Sequence, residues 1–473
     1  MLPTHNSLPP ERPHKRPHED ETSYGGSAVR DRLEQVLSKA RAAGADAAEV
    51  AFAQSRSLSI GVRNGEVETV ERDETADLGL RVFIGQKQAV VSISEFSDQT
   101  LQRAVERAVI MARISPDDPY TGLADPALLS VPDANPVDLQ LFDPEDVSAD
   151  AFKDRALACE AAGLAVAKSI TTDSASTGYS HNHWHLLTSD GFSGQQSSSI
   201  FFQSVRMIAT DAAGQMERDG EGRSKRFYTD LPTPAYTGTL AAERAVSALG
   251  ARRIDSGKYP VIFDPRVSKS IVSLFLGAIS GPAIARGSSY LKNRLHTQLF
   301  APGIHIVDDP FRVRGLASSL FDDEGVRVQK RHLIDNGVLT TWLLNTASAR
   351  QLGLTSTGHA SRGLVGPAGA SAHNITLMPG SSSQPDLMRD AGQGVLITSM
   401  FGPNVNADTG DWSVGASGVW FDQGEIKYPV NELTVAGNLI DIFARLIPGS
   451  DLEIKGSNDA PSLLIDGLSV GGK

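Results

Sequence analysis

The sequence predicts an α+β protein of three regions. An N-terminal α+β domain comes first, a middle region built on an antiparallel β-meander follows, and a large C-terminal domain has mixed-sheet, barrel-like character. Three observations carry this expectation. The first 120 residues read as helix, several strands, helix; three long strand-like segments follow one another between 174 and 228; and short strands alternate with Gly-rich turns beyond residue 390. The length of 473 residues suits about three units at roughly 150 residues each.

The elements follow in order. Residues 1–26 are rich in Pro, His and charge, lack the apolar core of a signal peptide, and read as a disordered extension. The N-terminal domain spans 27–120. Val29, Leu33, Val36, Leu37 and Ala40 recur at helical spacing, and Gly44 is placed to end that helix. Residues 49–53 and 57–63 are strand candidates, and Asn64-Gly65 reads as a tight hairpin turn because both residues tolerate positive φ. Strands are expected over 76–84 and 89–94. Ser97 is a plausible N-cap for a helix to about Ile114, with Leu101, Val105, Ala108, Val109 and Ala112 on one face.

The middle region spans 121–236. Residues 117–147, rich in Pro and Asp, form a connection, and a helix over 148–169 carries Cys159. Strands over 174–188, 193–209 and 215–228 make the meander, and Leu231-Pro-Thr-Pro234 marks its end. In the C-terminal domain, 237–473, a helix over 239–252 precedes a buried strand at 259–263. Asp264-Pro265 opens another helix, since proline suits the first turn. Later strands fall at 394–398, 418–421 and 426–430, with a turn at 422–425 and a last helix near 438–446.

Composition narrows the function. A net charge of −12 disfavours nucleic acid as a partner, because duplex binding rests on clustered Lys and Arg neutralising phosphates. The single cysteine excludes an intrachain disulfide and fits a reducing, cytoplasmic compartment. No apolar run approaches the ~20 residues of a membrane span.

Three clusters carry candidate chemistry. In His181-Asn-His183-Trp-His185, residues two apart share one face of a strand, a geometry able to hold zinc. The plainer reading, a polar cross-strand face, is favoured. Asp322-Asp323-Glu324-Gly325, preceded by Asp308-Asp309, offers paired carboxylates for acid–base work or a hard cation; a Gly-ended Asp turn is favoured. The third, Asn404 to Ser413, is a loop rich in Asn, Asp, Thr and Gly. It suits either bonding to its own backbone or gripping a peptide. No Gly-x-Ser-x-Gly elbow or phosphate loop is present, and Cys159 sits in an Ala-rich helical pattern as a buried small hydrophobe.

Met400-Phe-Gly-Pro-Asn-Val-Asn-Ala-Asp-Thr-Gly-Asp-Trp-Ser413 and Phe321-Asp-Asp-Glu-Gly325 together resemble the signature of the TldD/PmbA family. Further pieces agree in order and spacing: Gly44-Ala-Asp-Ala-Ala-Glu49, Arg63-Asn-Gly-Glu-Val-Glu68, Leu78-Gly-Leu-Arg-Val-Phe83, Arg286-Gly-Ser-Ser-Tyr290, Asn336-Gly-Val-Leu339, Ser348-Ala-Arg-Gln-Leu-Gly353 and Thr357-Gly358. The resemblance covers nearly everything beyond residue 30. It implies a cytosolic zinc-dependent protease of two related subunits, one of which carries His-Glu-x-x-x-His on a helix shortly before the Gly-Ser-Ser element. This chain has no His-Glu pair, and its corresponding window, 270–282, has no His, Glu, Asp or Cys. That resembles the PmbA (TldE) branch. The implied assignment is a chain with no catalytic residue and no metal or other cofactor of its own, and a TldD-like partner that supplies zinc. Substrates would be small or unfolded polypeptides, with peptide-precursor maturation and antitoxin degradation as roles, and no membrane partner. Asp322, Asp323, Glu324, Gly325, Asn404, Asn406, Thr409, Gly410 and Asp411 become candidate contacts to peptide or partner. The alternative is a non-enzymatic regulator acting on DNA gyrase or another regulator, since the family also carries the label "modulator of DNA gyrase".

Overall fold

The long first strand organises the N-terminal half. In the computed structural model, which describes residues 26–131 and 137–473, this half contains α1 (Gly26–Ala42), β1 (Ala47–Arg63), β2 (Glu66–Ile84), β3 (Lys87–Ile93), α2 (Asp98–Ile114), α3 (Ala149–Leu164), β4 (Ile170–Thr188), β5 (Ser193–Thr210), β6 (Met216–Lys225) and α4 (Pro234–Ser247). The extension expected over 1–26 lies outside the described residues except for Gly26, which opens α1. The six strands form one sheet in the order β3-β2-β1-β4-β5-β6. The meander β4–β6 is therefore continuous with β1–β3, joined where β1 pairs antiparallel with β4 from Glu49↔Thr188 to Val62↔Ala175. The two strand candidates at 49–53 and 57–63 are one strand, because pairing on both edges carries the backbone through the polar residues 54–56.

Even-numbered positions of β1 face two helical layers. Val50 and Phe52 pack with Leu33, Leu101 and Val105 of α1 and α2, while Leu58, Ile60 and Val62 pack with Phe152 and Cys159 of α3. The Asn64-Gly65 turn has φ of +55° and +78° as expected. Both of its N–H groups donate to the buried carboxylate of Glu160, at 2.7 and 2.8 Å. Ser97 caps α2 through its hydroxyl, which accepts from Thr100 N.

The C-terminal half contains β7 (Gly257–Phe263), α5 (Pro265–Ala278), α6 (Gly281–Ala285), β8 (Ile306–Asp309), β9 (Arg331–Asp335), β10 (Val338–Leu339), α7 (Thr346–Leu352), β11 (Ala360–Ser361), β12 (Gly369–Ala370) and β13 (Asn374–Leu377). It continues through α8 (Gln384–Ala391), β14 (Gln393–Val405), β15 (Asp411–Asp422), β16 (Glu425–Asn438), α9 (Leu439–Arg445), β17 (Ile447–Pro448), β18 (Asn458–Asp459) and β19 (Leu463–Gly471). The order β16-β15-β14-β7-β19, with β16 pairing back to β19, closes a five-stranded mixed barrel in which β14 and β7 run parallel. Inward residues such as Phe263, Ile397, Val435 and Ile465 meet Phe275 of α5 and Phe443 of α9 in the largest core. A second sheet, β10-β9-β8-β13-β18, lies beside it. Among the described residues no helix is long and apolar enough to cross a membrane.

Candidate functional site

Helix α5 occupies most of the 270–282 window, where the zinc-bearing relatives are expected to carry their metal-binding helix. Asp264 caps it by accepting from Arg266 N at 3.0 Å, and Pro265 pre-sets its first turn. Val267, Ile271, Val272, Phe275 and Ala278 bury one side in the barrel core. Ser273, Leu276 and Gly277, with Ser280 just beyond the helix, line a cleft of about 420 Å³ whose other wall includes Ser371, His373 and Asn458. Zinc sites take three or four donors from Cys, His and carboxylate. This cleft offers one imidazole, some hydroxyls and an amide. Its donor set does not fit zinc.

Behind that imidazole lies a buried charge cluster. Asp308, on β8, is fully buried. Its Oδ2 accepts from His359 Nε2 at 2.8 Å and His373 Nδ1 at 2.9 Å, and its Oδ1 accepts from the His373 backbone N–H at 2.9 Å. The Thr357 hydroxyl lies 2.8 Å from His359 Nδ1. This network assigns His359 as the Nε2–H tautomer, with Thr357 donating to its other nitrogen. Burial lowers the His359 pKa, with Asp308 opposing, so the ring is neutral. Burial pushes the Asp308 carboxyl up, but the hydrogen bonds from both imidazoles outweigh it and bring its pKa down to about 2. His373, oriented by Asp308 through Nδ1–H, keeps Nε2 for the cleft. The three donors are close enough to hold an ion, but only if both N–H protons are lost, since the hydrogen bonds already satisfy each group.

The other candidates lie elsewhere. His181, His183 and His185 do share a face of β4. The rings of His181 and His183 pack instead on Phe142, at 5.1 and 5.5 Å, His183 Nδ1 sits 2.7 Å from Ser197 Oγ, and His185 Nε2 lies 3.5 Å from Ser193 Oγ. Burial lowers the pKa of all three. Among the described residues they are not part of any group whose ligand atoms converge.

The 321–325 turn is interior. Asp322 Oδ1 accepts from Glu324 N and Val326 N, and Oδ2 from Ala360 N, all within 3.0 Å. Asp323 Oδ2 accepts from Arg362 N, and Glu324 Oε2 accepts from Thr346 N at the start of α7. Burial raises the pKa of all three carboxyls, and the neighbouring Glu324 charge raises Asp322 further. Gly325 has φ +80°, and a Cβ there would lie 2.8 Å from the Phe192 ring. Their acceptors organise backbone, as the turn reading expects.

The stretch 400–413 is not a loop but the arms and tip of the β14–β15 hairpin, with only 406–410 outside the strands. Asn and Gly in the arms disguise a strand whose register slips between Phe401 and Asn404. At the tip, Asn406 Oδ1 accepts from Asp408 N and Thr409 N, and Thr409 Oγ1 donates to Asp411 Oδ2. Hydrogen bonds from Asn438 and Thr409 hold the exposed Asp411 carboxyl below its ordinary range.

The chain matches the PmbA/TldA metallopeptidase domain 1 over residues 48–112, the central domain over 142–249 and the C-terminal domain over 256–472. It is 35% identical over 450 residues to "Metalloprotease PmbA" of Escherichia coli O157:H7, covering 94% of this chain and 97% of that one. The chain belongs to the PmbA/TldD family. A "Metalloprotease PmbA homolog" of Haemophilus influenzae is 34% identical, over 94% of this chain and 96% of that one. Among solved structures, a candidate modulator of DNA gyrase from Bacteroides thetaiotaomicron superposes with TM-score 0.86 at 25% identity, covering 94% and 99% of the two chains. TldE from Thermococcus kodakarensis shares the fold, with TM-score 0.82 at 19% identity, covering 93% and 100%.

Two family-motif pieces far apart in this PmbA/TldD chain touch. The Tyr290 ring lies 3.2 Å from where a Cβ on Gly410 would stand, and Gly410 has φ +79°. The Asp308–His359–His373 cluster has no sequence signature as a unit: Asp308 stands out only as half of an acid pair, and the two histidines follow it by 51 and 65 residues.

Proposed function

We propose that this chain is the zinc-free subunit of a heteromeric PmbA/TldD metalloprotease whose catalytic zinc sits in a TldD-like partner. One observation carries the reading: the cleft over α5 presents a single imidazole, His373, where hydrolysis by zinc needs at least three protein donors and an open position. The metalloprotease names of the relatives support the activity of the assembly. The chain's part is to complete the chamber and guide small or unfolded polypeptides toward the partner, in peptide-precursor maturation or antitoxin degradation. The end of the β14–β15 hairpin, with Asn404, Asn406, Thr409, Gly410 and Asp411 and the exposed Phe401 on the β14 arm beside it, is the candidate contact to peptide or partner. A cytoplasmic setting fits Cys159, whose buried thiol is pushed up to about 11 and is inert.

The test is to assay an unstructured peptide with the chain alone, with its zinc-bearing relative alone, and with both. Activity only in the mixture, or strongly raised there, is the expected result. Equal activity of the relative with and without this chain would sink the reading. A second reading, a regulator that contacts gyrase, is favoured only by the descriptions of the Bacteroides and Thermotoga structures as modulators of DNA gyrase. Recovery of gyrase but no zinc-bearing relative in a pull-down would support it.

A further inference from the structure

We propose that His305, His332 and Asp335 form a binding site for a divalent transition ion of the zinc class on the outer face of the β8–β9 ribbon. Ile306 pairs with Ile334, but Val307 pairs with His332, so Leu333 has no partner and β9 carries a one-residue bulge. Residues three apart on an unbroken strand point to opposite faces. The bulge cancels that alternation and brings His332 and Asp335 to the same side. Extending the Ile306↔Ile334 pair by one step sets His305 opposite Asp335, on the face shared by Val307 and His332. The opposite face carries Asp308 and its two histidines inward.

The donors converge. His305 Nδ1 lies 3.0 Å and His332 Nδ1 3.7 Å from the same Asp335 Oδ1, and the three ligand atoms fall within 4.8 Å of one another. A tetrahedral ion with bonds of about 2.0–2.1 Å separates its donors by roughly 3.3 Å. His305 Nδ1 stands at hydrogen-bond distance from Asp335 Oδ1, so an Nδ1–H bridges the two without metal, and an ion binds by taking the place of that proton. The side chains of His305, His332 and Asp335 are 34%, 50% and 58% exposed, leaving a position for water, and a groove of about 450 Å³ adjoins them. The nearby cations Lys330 and Arg312 are paired with Asp309 and Asp459. Two imidazoles and one carboxylate suit a borderline ion rather than Ca²⁺ or Mg²⁺.

The test uses the full chain without an affinity tag, with His5, His14 and His18 replaced by Gln so that the extension's imidazoles do not compete. Zn²⁺ is titrated by calorimetry and Co²⁺ by visible absorption. One equivalent of either ion is expected, with uptake weakening as pH falls through the imidazole range. His332→Gln and Asp335→Asn, both at exposed positions, should each weaken binding about tenfold or more, while His183→Gln leaves it unchanged. No uptake at micromolar metal, or uptake that His332→Gln and Asp335→Asn leave intact, would overturn the proposal.

Discussion

Asp308 shows how much depends on one buried carboxylate. Its folded pKa of about 2 lies below the ordinary 3.8. A depressed carboxylate contributes stability that is present above the unfolded pKa and is lost as pH falls through the folded one. Asp308 should thus contribute about 2 kcal/mol at neutral pH, lost between about pH 4 and pH 2. Asp322, Asp323 and Glu324 shift the opposite way, so the comparison must be differential. Denaturant midpoints of the parent and Asp308→Asn, measured from pH 5 to 2, should converge as pH falls; a constant gap would contradict this. Gly325→Ala forces a Cβ against Phe192 at positive φ and should cost about 1–3 kcal/mol in thermal unfolding. At this scale the sequence showed residue types but not partners. Asp308-Asp309 was visible as a pair, yet which histidines reach Asp308 depends on β8 pairing with β13 and on the turn that returns His359.

Helices and their caps were the most legible elements, because capping and apolar spacing are local. Ser97, Asp264-Pro265 and the Asn64-Gly65 turn all act as read. The 400–413 stretch reads as a loop in sequence because Gly402, Pro403 and four Asn or Asp residues obscure strands held by their partner's hydrogen bonds. The short strands β8, β9 and β13 carried no periodic signal long enough to notice. The hairpin tip depends on one side chain: Asn438 donates to Thr409 O and Asp411 Oδ1 while its Oδ1 caps α9 at Ile440 N. Asn438→Ala should cost about 1 kcal/mol and raise amide exchange at 406–410 above that of the strand arms. Unchanged exchange there would show that the tip holds itself.

Across the whole molecule, the two halves are joined by a few buried contacts that no local pattern announces. Phe192, at the β4–β5 turn, packs edge-on against Phe321, ring centroids 5.3 Å apart. Arg362 lies 3.2 Å from Glu49, which also pairs with Arg81, and all of these side chains are buried. Arg362→Ala leaves Glu49 its pair with Arg81 but removes the buried charge that bridges it to the other half, so it should cost about 1–3 kcal/mol, read as a lowered unfolding midpoint. The α+β class and the barrel-like C-terminal region were readable from blocks of periodicity. That one sheet spans β1 to β6 was not, because the β1–β4 pairing bridges more than 100 residues of chain.

Where the catalytic zinc resides is decided by the hydrolysis of an unstructured peptide by this chain, as purified and after zinc addition, with and without a His-Glu-x-x-x-His relative. His332→Gln serves as control for metal held on the β8–β9 face. The chain alone should show no turnover at any zinc level, and turnover in the mixture should follow the partner's zinc. Zinc-dependent turnover by this chain alone, abolished by His373→Asn, would contradict this.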